Sequence, residues 1–253
     1  MNRAGSDTGG DREIARAQDQ LFREGGSARA KYSALVVGRP GLGALFKYEL
    51  IVQFSQAVPG ALGLALRKTL YPHLLGSCGR NVVFGQNVVL RHPHKVHIAD
   101  NVVIDDHCLL DAKGDANAGI RIGRGVFIGR NTILSCKNGD IELAEGANVG
   151  FNCEIFSASR VRIGRNALVA AYCYLIGGDH DFSDTSRPVH EQARKSAGIT
   201  VGDGAWLGAG AKVLDGVDIG ANAVIGAGAV VRGSVPERAT AVGVPARVVS
   251  TRA

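Results

Sequence analysis

From Phe84 onward an aliphatic residue returns every six positions, and this period constrains the fold more than any other feature of the chain. The series runs Ile98, Ile104, Leu110; Ile122, Ile128, Leu134; Leu143, Val149, Ile155; Ile163, Val169, Leu175; Val201, Leu207, Val213; Ile219, Ile225, Val231. Phe84 and Leu90 open an incomplete earlier set. Four residues after most members comes a small or branched side chain, such as Val102, Cys108, Thr132, Ala147, Cys153, Cys173 or Ala205. Three residues after them comes Asn or Gly: Asn87, Asn101, Gly125, Asn131, Gly146, Asn152, Asn166, Gly204, Gly210, Gly216, Asn222 and Gly228. These residue types tolerate positive φ, as a corner requires. A period of six is not the 3.6 of a helix, and glycine recurs too often for one. Each hexapeptide therefore reads as one short strand and one bend. Three of them close a triangular coil, and coils stack by parallel pairing. Six full coils at about 4.8 Å each predict an all-β prism on the order of 30 Å tall. The bends also absorb the 35 glycines in 253 residues, roughly twice average usage.

Outside the repeat the chain changes character. Residues 1–30 are rich in Gly, Ser, Asp and Arg and are expected to be disordered; no apolar leader is visible in them. Residues 31–79 form an apolar region in which two short helices bend at Pro59, with Lys47, Arg67 and Lys68 on their flanks. Leu50–Leu66 carries no charge but is interrupted by Pro59 and Gly60, at the short limit for a membrane span. Two uses of residues 42–75 stay open: packing against the main domain or a neighbouring subunit, and interfacial contact with a membrane. The solenoid is placed at 80–235 and a tail at 236–253. Five cysteines without CxxC spacing read as reduced core thiols of a cytoplasmic protein. A net charge of +6 favours an anionic partner. Scattered basic residues with few aromatics argue against nucleic acid.

Loops that break a solenoid's period are where function is carried. Between Leu175 and Val201 the chain inserts "GGDHDFSDTSRPVHEQARKSAGIT", assigned to 177–200. A structureless loop of this length inside a compact domain is uncommon unless functional. His180 lies at its first bend, tethered to a rigid coil. An unperturbed imidazole titrates near pH 6.5 and suits a general base.

The hexapeptide pattern over residues 80–250 resembles the hexapeptide-repeat acyltransferases. That resemblance implies a left-handed parallel β-helix and homotrimers with active sites between neighbouring prisms. The segment "ITVGDGAWLGAGAKVL", with "GVPAR" near the end, is similar to the maltose and galactoside O-acetyltransferase branch. "LFKYELIVQF", "PGALGLALRKTLYP" and "LLDAKG" further resemble a subgroup associated with surface-polysaccharide synthesis. By that resemblance His180 matches the catalytic histidine and Asn152 an asparagine near the acceptor hydroxyl. Acetyl-CoA is the implied donor, with direct attack and no acyl-enzyme. Backbone at Ala209 and Ala227 matches the pantetheine grip, Trp206 fits a wall of the coenzyme tunnel, and Arg232 and Arg247 are placed to meet phosphates. A lysine common after the last coil is Gly233 here.

Asp179, Asp181, Glu154 and Glu191 are candidates to orient the imidazole. Glu154, Asp181, His190 and Glu191 are also candidates for acceptor contact. The expected activity is acetyl transfer to a hydroxyl of a saccharide or related acceptor, whether free or lipid-linked. Transfer to an amino sugar or of another acyl group, and a non-catalytic scaffold, remain alternatives. So does a metal hydratase of the γ-carbonic anhydrase type, for which "RHPHKVH" and His107 supply imidazoles. No metal is expected on the favoured reading.

Overall fold

The structure is a computed structural model and describes residues 27–253. The stretch expected to be disordered lies, up to residue 26, outside the described residues; its last three belong to helix α1 (Ala28–Tyr32), whose N-cap is Ser27. A π-helical turn over Ser33–Val37 follows. Then come α2 (Leu42–Ser55) and α3 (Gly60–Leu70), the latter preceded by Pro59 as N-cap. The remainder is a three-faced parallel β-helix: two faces carry seven strands each and the second carries nine.

The register confirms the period. Ile155 sits opposite Leu134 and Leu175 on the third face, and Leu143 opposite Ile122 and Ile163 on the first. All these side chains are buried. The corner positions behave as the residue types demand: the Asn and Gly positions named above have φ between +52° and +76°. His107 and Tyr172 adopt the same conformation, at φ +61° and +63°. Their residue types hide them from a rule built on Asn and Gly. Cys108, Cys153 and Cys173 are buried free thiols. Cys108 and Cys173 donate to the carbonyls of Gly129 and Gly208 one coil up.

Two boundaries differ from expectation. The strand Ser77–Cys78 pairs with Val96–Ile98, with Cys78 opposite Ile98. The first coil is therefore complete and full coils number seven rather than six; a cysteine in an aliphatic slot concealed it. At the other end the stretch expected as a tail contains two strands. Ala239–Val242 adds in parallel to Val224–Ile225, and Arg247–Thr251 folds back antiparallel upon it. This reversal covers the upper edge of the second face, where an unpaired parallel strand would invite further pairing.

The lower edge is closed by the helical region. Carbonyls of the first coil have no coil beneath them, and buried backbone groups need partners. Tyr48 donates its hydroxyl to the Leu90 carbonyl at 2.8 Å and Tyr71 to that of Val88 at 3.0 Å. Arg67, 1% exposed, donates Nε to the Phe84 carbonyl at 2.9 Å and Nη1 to those of Ser55 and Val58 at 2.9 and 2.7 Å. Its positive charge thus faces the negative end of the α2 dipole. A Cβ on Gly63 would run into the Val58 carbonyl, so this seat requires glycine. Opposite the buried face the helices expose Leu42, Phe46, Leu50 and Phe54 at four-residue spacing on α2, and Leu62 and Leu64 on α3.

Candidate active site

Seven third-face strands run into the corner leading to the first face, and the long insertion leaves from the fifth of them, Tyr174–Gly177. Asp179–His180 pairs antiparallel with Arg194–Lys195, placing His180 opposite Arg194. This two-stranded stem mounts the histidine on the rigid coil. Beyond the stem, Gln192 is buried and donates to the carbonyls of Asp184 and Arg187. Where the chain re-enters the coil, Asp215 accepts the N–H groups of Ala197 and Gly198 at 2.7 and 2.9 Å. The insertion is hydrogen-bonded along its length.

His180 lines a pocket of ≈ 230 Å³ with Lys137, Phe156, Ala158, Tyr174, Asp179 and Arg194. The rings of Phe156 and Tyr174 lie 5.8 Å apart, tilted by 57°, and give the pocket an aromatic floor. Its space exists because the fourth coil ends in Ser157 and Ala158, and the insertion begins with Gly177 and Gly178. A Cβ on Gly178 would meet that of Ala158 at 2.6 Å. Two polar atoms on the pocket's residues are buried without a hydrogen-bond partner: Nδ1 of His180 and Nε of Arg194. Buried polar groups are ordinarily satisfied; these two are not.

None of the four carboxylates predicted to orient the imidazole does so within one chain. Asp179 accepts the backbone N–H of His180 at 2.7 Å. Asp181 pairs with Lys195 at 2.8 Å, and this contact with that of Ser183 holds its carboxyl well below the usual range. Glu191 and His190 lie on the exposed outer turn Val189–Glu191, 3.8 Å apart. Glu154 is half-buried on the third face, opposite Tyr174. The predicted acceptor residues Asp181, His190, Glu191 and Glu154 are therefore absent from the pocket lining, whereas Lys137, Phe156, Tyr174 and Arg194, which the sequence did not single out, form it. Lys137 directly follows the third-face strand Ile133–Cys136, one coil below the "ASR" bend.

The remaining candidates divide between two edges. Arg232 follows the strand Val230–Val231 at the same corner as His180. Asn152, at φ +56°, stands at the opposite corner, between the second and third faces. Ala209 and Ala227 lie exposed at that opposite corner too, stacked through the Gly228 N–H donating to the Ala209 carbonyl at 2.8 Å. From the Tyr172 corner to Gly177 is five residues, roughly 16 Å of strand. One chain therefore does not bring Asn152, Ala209 and Ala227 to His180. Trp206 is 48% exposed on the second face, opposite Leu168 and Val224. Arg247 is exposed at the start of the last strand.

The histidines offered to a metal do not converge on one point, although the rings of His92 and His94 stack 6.1 Å apart. His92 Nε2 lies 2.8 Å from the Ala34 carbonyl, His97 Nδ1 lies 3.1 Å from Ser77 Oγ, and His107 occupies a corner. Among the described residues no three His, Cys, Asp or Glu side chains gather to hold a metal ion. A larger cavity of ≈ 680 Å³ lies between α1, the start of α2 and His92, edged by Arg29, Arg39 and Lys95. It contains none of the predicted catalytic residues.

Comparison with known proteins agrees with this architecture. The bacterial transferase hexapeptide family (six repeats) matches residues 198–233. Rv3034c of Mycobacterium tuberculosis, named a probable acetyltransferase, is 33% identical over 135 residues, covering 53% of this chain and 45% of that protein. The chain thus spans less than half the length of that relative. WbbJ of Escherichia coli K12, whose name refers to O-acetyl transfer in lipopolysaccharide biosynthesis, is 30% identical over 149 residues, covering 56% of this chain and 74% of that protein. Among solved structures, a mutant of AntD, an N-acyltransferase from Bacillus cereus in complex with dTDP and coenzyme A, superposes with a TM-score of 0.52 at 22% identity. The superposition covers 78% of this chain and 92% of that one, and speaks for the fold. With its seven hexapeptide coils and a relative matched over three-quarters of its length, the chain belongs to the hexapeptide-repeat acyltransferase family.

Proposed function

We propose that the chain is an acyl-CoA-dependent O-acetyltransferase acting on a hydroxyl of a saccharide or related acceptor, with His180 as general base. The observation that carries this is the seat of His180: on the stem of the one long insertion, in a pocket of single-sugar size with an aromatic floor. The acceptor oxygen attacks the thioester carbonyl carbon as the imidazole takes its proton. The tetrahedral adduct collapses, the C–S bond breaks, and the proton passes to the coenzyme sulfur. The products are an acetyl ester and free CoA. The name of the 30%-identical relative supports a hydroxyl rather than an amine as acceptor.

In this reading a second copy completes the site. The exposed corner of Ala209 and Ala227 and the corner amide of Asn152 would lie across from the His180 corner of a neighbour in a homotrimer. Arg232 and Arg247 would meet the coenzyme phosphates, with Trp206 a wall beside it. A partner edge would also supply the missing contact to His180 Nδ1. Purified protein given acetyl-CoA and a panel of neutral sugars, sugar phosphates, nucleotide sugars and amino sugars should release free thiol with at least one hydroxyl acceptor. Thiol release with amino sugars alone would assign N-acylation; release with none would refute the enzyme reading.

The helical region fits a peripheral contact with an anionic membrane. No described helix is long and apolar enough to cross one. Leu42, Phe46, Phe54 and Leu62 are each more than 60% exposed. Besides the buried Arg67, residues 27–75 hold five Lys or Arg and a single acid, Glu49, which accepts the Tyr32 hydroxyl at 2.6 Å. An apolar face flanked by cations suits an anionic interface. Flotation with vesicles containing phosphatidylglycerol should carry the protein up, and Phe46→Ser with Phe54→Ser should leave it at the bottom. Unchanged flotation of the double variant, or none by the parent, would rule out this contact; a change of oligomeric state without flotation would assign the face to another copy.

A further inference from the structure

The corner that carries His180 is lined beneath it by cations. Arg91, Lys113 and Lys137 each stand at or just past the end of a third-face strand, in the first, second and third coils. Arg194 joins them from the stem of the insertion, opposite His180. Burial lowers the pKa of the Lys137 ammonium, and the charges of Lys113, Arg194 and Arg91 lower it further against the opposing pull of Asp111. Asp111 is itself committed: it is 4% exposed, pairs with Arg91 at 3.7 Å and accepts the backbone N–H of Lys113 at 3.2 Å. Among the described residues Lys113, Lys137 and Arg194 form no ion pair. Lys113 is only 8% exposed, and Arg194 Nε is buried without a hydrogen-bond partner. Withdrawing cations from water without a counter-charge is costly. Two of these cations, Lys137 and Arg194, line the pocket of the candidate base, and such a pair is suited to an anion.

We infer that the acceptor carries an anionic group, a phosphate ester or a carboxylate, next to the hydroxyl that is acetylated, and that Lys137 and Arg194 bind it. The inference rests on the reading of His180 as base and names the class of acceptor for that site. The coenzyme's own phosphates are not the anion in question. With the thioester carbon at His180, the length of the pantetheine arm separates them from a pocket this small. Lys137 also lies 5.6 Å from the centre of the Phe156 ring, so the cation and the aromatic floor are offered to the same ligand: a sugar ring against Phe156 and Tyr174, and its charged substituent against Lys137 and Arg194. Lys113 and Arg91 add field from below without needing to touch it.

Equilibrium binding, read without turnover, tests this. Glucose 1-phosphate, glucuronate and glucose are the probes, measured by calorimetry on the wild-type protein and on Lys137→Met, Lys137→Arg and Arg194→Gln. At least one anionic probe should bind tenfold or more tightly than glucose, since charge-assisted hydrogen bonds are the strong ones. The stronger of the two distinguishes phosphate from carboxylate. Lys137→Met and Arg194→Gln should each reduce the preference about tenfold, and Lys137→Arg should keep it. Acetyl-CoA affinity should stay within twofold across the series. Equal binding of the three probes, or a preference that survives Lys137→Met, would overturn the assignment; so would a parallel loss of acetyl-CoA affinity, which would give the cations to the coenzyme. Should Lys137→Met melt below the parent, Arg194→Gln, on the surface insertion, decides. Because no acetylation is required, a failed acceptor screen and a failed binding preference are separate results.

Discussion

His180→Ala should lower kcat for acetyl transfer by about 10²–10⁴-fold, the range that a positioned general base supplies. Binding of acetyl-CoA and the melting temperature should hardly change, because the imidazole forms no hydrogen bond through Nδ1 that the fold depends on. The backbone N–H of residue 180, which donates to Asp179, remains in the variant. Steady-state thiol release and a thermal melt on the same preparations check both halves. A fall in kcat below tenfold would remove His180 from the chemistry. A matching fall in stability would instead make it a structural residue of the insertion.

The largest stability effect is expected at Arg67. In Arg67→Met the carbonyls of Phe84, Ser55 and Val58 lose buried donors. Each unsatisfied group costs roughly 1–3 kcal/mol; with the three carbonyls partly relaxing toward water, a loss at the lower end of the sum, about 3–5 kcal/mol, is expected. For a chain of this size that is on the order of a 10 °C fall in Tm. Arg67→Lys should recover only part of it, since one ammonium cannot reproduce the planar fork that reaches both the coil edge and the end of α2. A loss under about 1 kcal/mol in a urea titration would mean that water reaches these carbonyls and that the helical region is not the plug of the lower edge.

The solenoid is largely legible in the sequence, and the site far less so. Period six specified the solenoid because an aliphatic residue at each inward position is a requirement of packing, repeated until no helix or flat sheet can satisfy it. Corner chemistry was equally open, since Asn and Gly announce positive φ. What stayed hidden were positions where geometry overrides residue type. Cys78 stands in an aliphatic slot, His107 and Tyr172 hold left-handed corners, and Arg67 looks from the sequence like a flanking surface charge but is buried. The candidate site was legible at His180 alone, because a long break in a strict period is visible without coordinates. Its lining was not. Lys137 and Phe156 come from coils below and Arg194 from across the stem, and their approach depends on coil register rather than on sequence spacing.

The separation of the Asn152 and Ala209 corner from His180 within one chain makes the shared site the point on which the account turns, and subunit mixing tests it. His180→Ala disables one corner; Ala209→Trp, a substitution at an exposed position, blocks the other. Each variant alone should be inactive in acetyl-CoA thiol release. After denaturation and refolding together in equal amounts, about a quarter of the interfaces of a closed homo-oligomer join an intact His180 corner to an intact Ala209 corner. The mixture should regain roughly that share of wild-type activity. Activity that stays at the sum of the two separate variants would contradict a site built between copies.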